Sequence, residues 1–304
     1  MADLLERIAR AQRPPFHLQS VPEARASYTA AAEVLEPPRA ALARVQALRV
    51  AGGDGAMLDA RLYAPSDAML PVLLYLHGGG FTIGNLETHD SLCRQLALRS
   101  GAAIIALDYR LAPEHRFPAA VDDAWAALQW LAVHAETLGL DSSRLAIGGD
   151  SAGATLATVA AIQARDAGLP LRLQVLITPG TAADGRAYAS RAAYAHGYLL
   201  EDETIEWFFD QYIDRAQRSD WRYAPLEAED LDGVAPACVL LAECDPLVDE
   251  GLAYVDRLRS AGVDVALELV RGMTHDFIKL GRVLPEAADA QAFIAARIAQ
   301  AFAT

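Results

Sequence analysis

The residues whose types and spacing most clearly suit a chemical reaction are Ser151 and the glycines on either side of it. The run GDSAG at 149–153 follows an apolar segment that ends at Ile147 and precedes a helical pattern, so a Gly-x-Ser-x-Gly motif occupies a predicted strand-to-helix turn. In such a turn the serine backbone is strained, the hydroxyl stands above the sheet, and the glycines let strand and helix pack closely. Ser151 is therefore the predicted nucleophile for attack on a carbonyl carbon.

A second glycine-rich segment, HGGGF at 77–81, directly follows another apolar run. We expect it at the same carboxyl edge of the sheet as the serine, where glycine amides can approach a substrate oxygen without side-chain obstruction. The N–H groups of Gly78, Gly79 and Ala152 are predicted to form an oxyanion hole. His77 is interpreted as a structural hydrogen-bonding residue. Neither glycine-rich segment has the spacing of a phosphate-binding loop.

The strand-to-helix turn at 149–153 is called the elbow below. The base of such a site is expected late in the chain, because an elbow of this kind is followed in the chain by the acid and then the histidine, each after a strand. Only His196 and His275 follow Ser151. His196 lies in an aromatic-rich segment with no strand before it, whereas His275 follows the apolar run 265–270 by one short loop. We predict that His275 is the base. The other histidines have no matched partners and are predicted to be packing or surface residues: His17, His89, His115 and His134.

The acid is expected in the segment ECDPLVDE at 243–250, which follows an apolar run. Asp249 and Glu250 are expected in the first turn of the next helix, where the helix dipole favours acidic residues. Asp245 lies in the loop and is the predicted acid, whose task is to hold the imidazole tautomer and stabilise the imidazolium. Glu243 is the alternative.

These side chains need a sheet whose strand ends meet at one edge. Continuous apolar runs alternate with helical patterns, as in parallel strands covered by crossover helices. The predicted fold class is α/β, with a mostly parallel sheet of about eight strands, helices on both faces and a helical cap. The predicted strands are 43–50, 58–64, 72–76, 102–107, 145–147, 173–177, 238–242 and 265–270, and the predicted helices are 86–99, 119–134, 152–166, 250–261 and 286–301.

Two segments depart from the alternation and are predicted to form the cap. Residues from 1 to about 40 have an amphipathic helical pattern interrupted by Pro14 and Pro15. Residues from about 184 to 230 carry many aromatic side chains and are interpreted as an insertion over the sheet. The whole chain, 1–304, is predicted to be a single domain with these decorations.

Composition disfavours several classes of partner. The net charge of −14 disfavours nucleic acid and anionic membrane surfaces, because both need clustered Lys and Arg. The three cysteines have no metal-ligand spacing, and the first residues lack the apolar core of a signal peptide. We expect a cytoplasmic protein that acts on a small molecule.

The motifs together resemble those of bacterial hormone-sensitive-lipase-like esterases of the GDSAG group, in the α/β-hydrolase superfamily. This resemblance implies a carboxylesterase that hydrolyses short- to medium-chain acyl esters through an acyl-enzyme, without a metal or a cofactor. It also implies a cap built from the two segments described above. The motifs that carry it are HGGGF at 77–81, DYRLAPEHRFPAA at 108–120, GDSAG at 149–153, DPLVDE at 245–250 and HDF at 275–277.

The sequence departs from the pattern of these esterases at three points. Ala154 replaces the usual glycine after GDSAG, the residues before Asp245 read Ala-Glu-Cys, and Asp276 replaces the commoner glycine after His275. These differences bear on pocket shape and rate.

Two other functions stay open. An amidase or peptidase would need the same three side chains. A small-ligand receptor of this fold is disfavoured by His275, because receptors that resemble these esterases have lost that histidine. The resemblance also favours a homodimer, in which a strand such as 265–270 could pair across the interface.

Overall fold

Eight strands and nine α-helices make up most of residues 1–303, the part of the chain that the computed structural model describes. The strands are β1 Arg44–Ala51, β2 Met57–Ala64, β3 Leu70–Leu76, β4 Ala103–Leu107, β5 Leu140–Asp150, β6 Leu173–Ile177, β7 Ala237–Cys244 and β8 Val265–Thr274. The helices are α1 Ala2–Ala11, α2 Val21–Leu35, α3 Asp90–Ser100, α4 Ala119–His134, α5 Ala152–Asp166, α6 Ala189–Ala193, α7 Asp202–Tyr212, α8 Val248–Ser260 and α9 Pro285–Ala303.

The strands form one sheet in the order β1-β2-β4-β3-β5-β6-β7-β8. The first two pairings, β1 with β2 and β2 with β4, are antiparallel, and the other five are parallel. The carboxyl ends of β3, β5, β7 and β8 therefore meet at one edge, which is where ligands bind in sheets of this kind. The predicted α/β fold with a mostly parallel sheet is confirmed.

The sheet is covered on both faces, which explains why its central strands are continuously apolar. Successive residues of β3 point to opposite sides. Leu74 and Leu76 pack in the core beneath α4, α5 and α8, whereas Leu73 and Tyr75 pack beneath α3 and α9. Every residue of β3 is buried. The two cores hold the strand ends in a fixed relation, so the loops at the functional edge start from rigid positions.

Two strands run three or more residues further toward the functional edge than the sequence predicts. β5 continues to Asp150, past the predicted end at 147, because Gly148 and Gly149 pair with β3 and β6. β8 continues to Thr274, which pairs with Cys244 of β7. The prediction ended the two strands just before Gly148 and Arg271, because glycines and polar residues are typical of loops. Ser151 and His275 are therefore the first residues after their strands.

Two helices begin two or more residues away from their predicted first residues. α3 begins at Asp90 and not at 86, because Asn85 makes a turn in which its side-chain oxygen accepts hydrogen bonds from the amides of Glu87 and Thr88, at 2.9 and 3.0 Å. α8 begins at Val248, two residues earlier than predicted, and Asp249 lies in its first turn as expected.

The amino-terminal segment and the insertion both contact the glycine-rich loop after β3. Ala24 of α2, Ile83 of the loop and Phe208 of α7 form a small buried cluster. Phe16, Tyr28 and Trp207 pack around it. Within the insertion only α7 exceeds five residues among the α-helices, so its helical content is lower than the sequence suggests. None of the helices in residues 1–303 has the length and apolar character needed to cross a bilayer.

Candidate active site

Three predicted side chains meet at the carboxyl edge of the sheet. The Nε2 atom of His275 lies 2.8 Å from the Oγ atom of Ser151, and its Nδ1 atom lies 2.7 Å from the Oδ2 atom of Asp245. Ser151 follows β5, Asp245 follows β7 and His275 follows β8. A hydroxyl, an imidazole and a carboxylate in this order can transfer a proton away from the hydroxyl as it attacks.

The backbone at Ser151 is held in a strained conformation. Its φ of 51° and ψ of −121° lie where side chains other than glycine are rare. The Ser151 amide donates to the Ile177 carbonyl of β6 at 2.8 Å. A Cβ atom at Gly149 or Gly153 would fall against the carbonyl oxygen of Leu76. Glycines on both sides therefore allow the sharp turn that exposes the hydroxyl between β5 and α5.

Asp245, and not Glu243, is the acid that contacts the histidine. The Asp245 side chain is buried, and its second oxygen, Oδ1, accepts a hydrogen bond from the Leu247 amide at 2.9 Å. Glu243 points to β8, where it accepts from the Gly272 amide at 2.7 Å. The alternative acid is thus occupied in strand contacts.

The charge balance at His275 favours the imidazolium. Burial disfavours a charged imidazole, but the adjacent Asp245 carboxylate outweighs it, and the pKa of His275 is raised to about 9. The second-largest electrostatic contribution comes from Asp276, which directly follows His275.

The predicted oxyanion residues lie at the junction of the glycine-rich loop and the elbow. A side chain at Gly78 would collide with Asp150, so the loop and the elbow are in close contact there. Within residues 1–303 the amides of Gly78 and Gly79 donate to no acceptor atom of the protein. Ala152 is the first residue of α5, and the first amides of a helix have no intrahelical acceptor. These three amides are available for a ligand oxygen.

Asp150 is a buried acid inside the elbow, and sequence reasoning gave it no role. The Tyr75 hydroxyl donates to its Oδ1 atom at 2.6 Å, and His89 Nε2 lies 3.1 Å from its Oδ2 atom. Burial alone would raise the pKa of the Asp150 carboxyl, but its contact with His89 and the hydrogen bond from Tyr75 hold that pKa well below its usual range. The prediction that His89 has no matched partner is wrong, because the partner lies 61 residues away in the chain.

His77 is neutral and structural, as the sequence suggests. Its Nδ1 atom lies 2.8 Å from the Gly78 carbonyl oxygen, and its ring stacks on Tyr109 with centroids 4.4 Å apart. The Tyr109 hydroxyl donates to the His77 carbonyl at 2.7 Å. Burial lowers the pKa of His77 to about 3. The histidine thus helps to hold the glycine-rich loop in place.

The loop that carries Asp245 is tied to the insertion. The Ser190 amide donates to Asp249 Oδ2 at 2.9 Å, and the Ser190 hydroxyl donates to the Pro246 carbonyl at 2.9 Å. Glu250 is fully buried and accepts from the Thr181 amide at 2.6 Å. These contacts had no signal in the sequence, because they join residues 56 to 69 positions apart.

No group of three or more His, Cys, Asp and Glu side chains within residues 1–303 is arranged to hold a metal ion.

The chain is similar to a known family and to characterised proteins. A family model described as alpha/beta hydrolase fold matches residues 73–279. An ethyl acetate hydrolase from Pseudomonas putida is 44% identical over 281 residues, which cover 90% of this chain and 88% of that protein. The carboxylesterase NlhH from Mycobacterium tuberculosis is 40% identical over 250 residues, which cover 80% and 78% of the two chains. A hyperthermophilic esterase from Pyrobaculum calidifontis superposes with a TM-score of 0.92 at 38% identity, covering 98% of this chain and 96% of that one.

Replacing Tyr75 with phenylalanine tests the buried contact beneath the elbow. We expect Tyr75→Phe to lower the free energy of unfolding by about 1–3 kcal/mol, because a buried carboxylate loses its shortest hydrogen bond. Urea denaturation measures the change. Tyr198→Phe is the matched control, since the Tyr198 ring packs on Tyr194 and its hydroxyl has no hydrogen-bond partner within residues 1–303. Equal stability of the Tyr75 variant and the wild type would contradict a structural role for this bond.

Proposed function

Because this chain belongs to the alpha/beta hydrolase fold family, we propose that it hydrolyses carboxylic esters with Ser151 as nucleophile, His275 as base and Asp245 as the orienting acid. Like its named relatives it is an esterase of the serine carboxylester hydrolase type. The observation that carries the assignment of residues is the continuous hydrogen-bonded chain from Ser151 Oγ through His275 to Asp245, with contacts of 2.8 and 2.7 Å.

In the first half of the proposed reaction, Ser151 Oγ attacks the ester carbonyl carbon while His275 Nε2 accepts the hydroxyl proton. A bond forms between Oγ and the carbonyl carbon, and the carbonyl oxygen becomes an oxyanion. The tetrahedral intermediate then collapses, and His275 returns the proton to the leaving alcohol oxygen. The products of this half are a free alcohol and an acyl group esterified to Ser151.

In the second half, a water molecule attacks the acyl carbon and His275 takes its proton. Collapse of the second intermediate releases the carboxylic acid and returns the proton to Ser151 Oγ. Asp245 accepts a hydrogen bond from the Nδ1–H group throughout and stays ionised, so Nε2 is the nitrogen that exchanges a proton with the nucleophile. The Leu247 amide holds the other carboxylate oxygen at 2.9 Å, which fixes the direction of Asp245.

We assign the oxyanion hole to the amides of Gly78, Gly79 and Ala152. Amides without an acceptor in the protein can stabilise the negative oxygen at no cost in broken hydrogen bonds. Ala152 adds the positive end of the α5 helix dipole. Gly79 has a φ of 119°, a conformation open to glycine and costly for other residues.

The substrate is proposed to be a short- to medium-chain acyl ester bound under a cap made of residues 1–40 and 184–230, within one domain spanning 1–304. The apolar cluster of Ala24, Ile83 and Phe208 supports this, because it joins both segments over the glycine-rich loop. The Phe208 ring lies directly against Gly80. Apolar side chains this close to the oxyanion amides suit the hydrocarbon part of a small ester.

A cytoplasmic location and a homodimer are further parts of the proposal. The three cysteines are free thiols, as is usual in a reducing compartment. β8 ends the sheet, with β7 as its neighbour on one side, so its outer edge offers backbone groups to a second copy of the chain.

Ser151→Ala tests the nucleophile directly. On p-nitrophenyl esters from acetate to palmitate, we expect the wild type to turn over the shorter chains and the variant to lose on the order of 10⁴–10⁶-fold in kcat. A chelator should leave the wild-type rate unchanged. Matched amides distinguish an esterase from an amidase or peptidase. Absence of turnover by folded wild type on every ester would sink the proposal and favour the amidase or receptor function.

Gly78→Ala tests the oxyanion hole. A methyl group there collides with Asp150 and displaces the loop, so we expect kcat to fall about 10²–10³-fold. Gly180→Ala is the control, because a Cβ at Gly180 meets its nearest neighbour at an ordinary 3.6 Å. Kinetics on one p-nitrophenyl ester compare the two. A Gly78 variant as active as the control would remove this loop from the mechanism.

Asp245→Asn tests the role of the acid through the pH dependence. His275 acts as a base only when neutral, so the rate rises as pH increases through its pKa. Since Asp245 raises that pKa, the asparagine variant should show its rising limb at lower pH, and kcat should drop about 10⁴-fold as the imidazole loses its tautomer. An unshifted limb with nearly full activity would show that Asp245 does not act on His275.

A further inference from the structure

A second carboxylate stands beside the imidazole of His275. Asp276 Oδ1 lies 3.9 Å from His275 Nε2, the nitrogen that faces Ser151. This oxygen is buried, and within residues 1–303 it has no hydrogen-bond partner. Asp276 has a φ of 60°, a left-handed conformation in which glycine is easier to accommodate. An unpaired buried carboxylate oxygen in a strained residue is costly, so it calls for an explanation.

The amino-terminal segment holds this carboxylate in place. The Tyr28 hydroxyl, on α2, donates to Asp276 Oδ2 at 3.1 Å. Lys279 Nζ donates to the same hydroxyl at 2.7 Å and lies 4.3 Å from the centroid of the Tyr28 ring. With Oδ2 fixed in this way, Oδ1 is directed toward His275.

Lys279 is the only lysine in the sequence, and it is 4% exposed. A buried ammonium needs nearby compensation. Its Nζ atom lies 3.5 Å from Glu36 Oε1, at the end of α2. Both compensating groups, the Tyr28 hydroxyl and Glu36, come from the amino-terminal segment. The lysine therefore joins that segment to the turn that carries His275.

We propose that Asp276, positioned by Tyr28 and Lys279, stabilises the His275 imidazolium that forms while Ser151 or water is being deprotonated. The inference rests on the proposed function. While His275 is neutral, Oδ1 is a buried carboxylate oxygen without a donor. When Nε2 takes the proton, a positive charge appears beside it and offsets that cost. An interaction that is stronger in the transition state than in the ground state raises kcat.

Other charged and titratable groups also face this region. Asp245 contacts the opposite nitrogen, and Asp150 acts from the elbow. Burial disfavours the imidazolium, while Asp245, Asp276 and Asp150 all raise the pKa of His275. The groups that face the imidazole or its neighbours from the surrounding elements are Ser151, Asp150 and Asp245 at the strand ends, His89 before α3, Tyr28 and Glu36 on the amino-terminal segment, and Lys279 in the turn after His275.

The decisive experiment is the pH profile of kcat for Asp276→Asn and Asp276→Gly on a p-nitrophenyl ester. We expect the midpoint of the rising limb to move about one pH unit lower and the alkaline plateau to fall about tenfold, so that the variant and wild-type profiles coincide well below both midpoints and separate as the pH rises. Glycine suits the backbone conformation at 276, which keeps the test informative if asparagine impairs folding. Asp256→Asn, at an exposed site on α8, removes the same charge and should reproduce the wild-type profile.

The positioning role is tested with Tyr28→Phe alone and combined with Asp276→Asn. We expect the single variant to shift the midpoint in the same direction by a smaller amount, and to add nothing when Asp276 is already replaced. Reductive methylation gives a readout that does not depend on activity. Lysine labelling reports on Lys279 alone, because Lys279 is the only lysine. It should be slow in the native wild type relative to the urea-denatured chain, and faster in Tyr28→Phe.

The outcomes separate this inference from the proposed function. Wild-type activity that depends on Ser151, together with unshifted midpoints in both Asp276 variants, would overturn only the role of Asp276. Fully additive effects of the Tyr28 and Asp276 substitutions would overturn the positioning by Tyr28. Loss of ester hydrolysis dependence on Ser151 would instead overturn the proposed function itself.

Discussion

The hydrogen bond between Ser151 Oγ and His275 Nε2 sets the geometric demand that the rest of the structure meets. It joins residues 124 positions apart, so the ends of β5 and β8 must lie at one edge with the hydroxyl raised above it. The raised hydroxyl requires the strained backbone at Ser151, and Gly149 and Gly153 make that turn sterically feasible against Leu76. Two buried cores hold the strands that supply these positions.

Different groups stabilise the positive charge on the imidazole and the negative charge on the oxyanion in the proposed reaction. Carboxylates, chiefly Asp245, surround the imidazole and favour its protonated form. The oxyanion is proposed to be met by neutral backbone amides of the glycine-rich loop and α5. Neutral donors stabilise negative charge without placing a cation near His275 that would oppose its protonation. The one buried lysine of the chain is paired with Glu36 and the Tyr28 hydroxyl, so its charge is compensated on the side of the amino-terminal segment.

The sequence was sufficient to predict the fold class and to single out Ser151, Asp245 and His275, because each follows an apolar strand and their order in the chain is diagnostic. Strand lengths were less predictable, since glycines such as Gly148 and Gly149 resemble a turn until β3 and β6 are seen to pair with them. The contacts of His89 with Asp150, and of Tyr28 with Asp276, lacked any signal. A buried polar pair between distant segments leaves no periodicity in the sequence.

The central claim is that Ser151 is the nucleophile activated through His275. Treating the protein with a p-nitrophenyl alkyl phosphonate and mapping the modified peptide by mass spectrometry tests it most directly, because phosphonylation needs the same attack as the first step on an ester. The account predicts one phosphonyl group per chain, on Ser151, with activity lost in proportion to labelling. A chain that hydrolyses esters and is inactivated without label on Ser151 would contradict it.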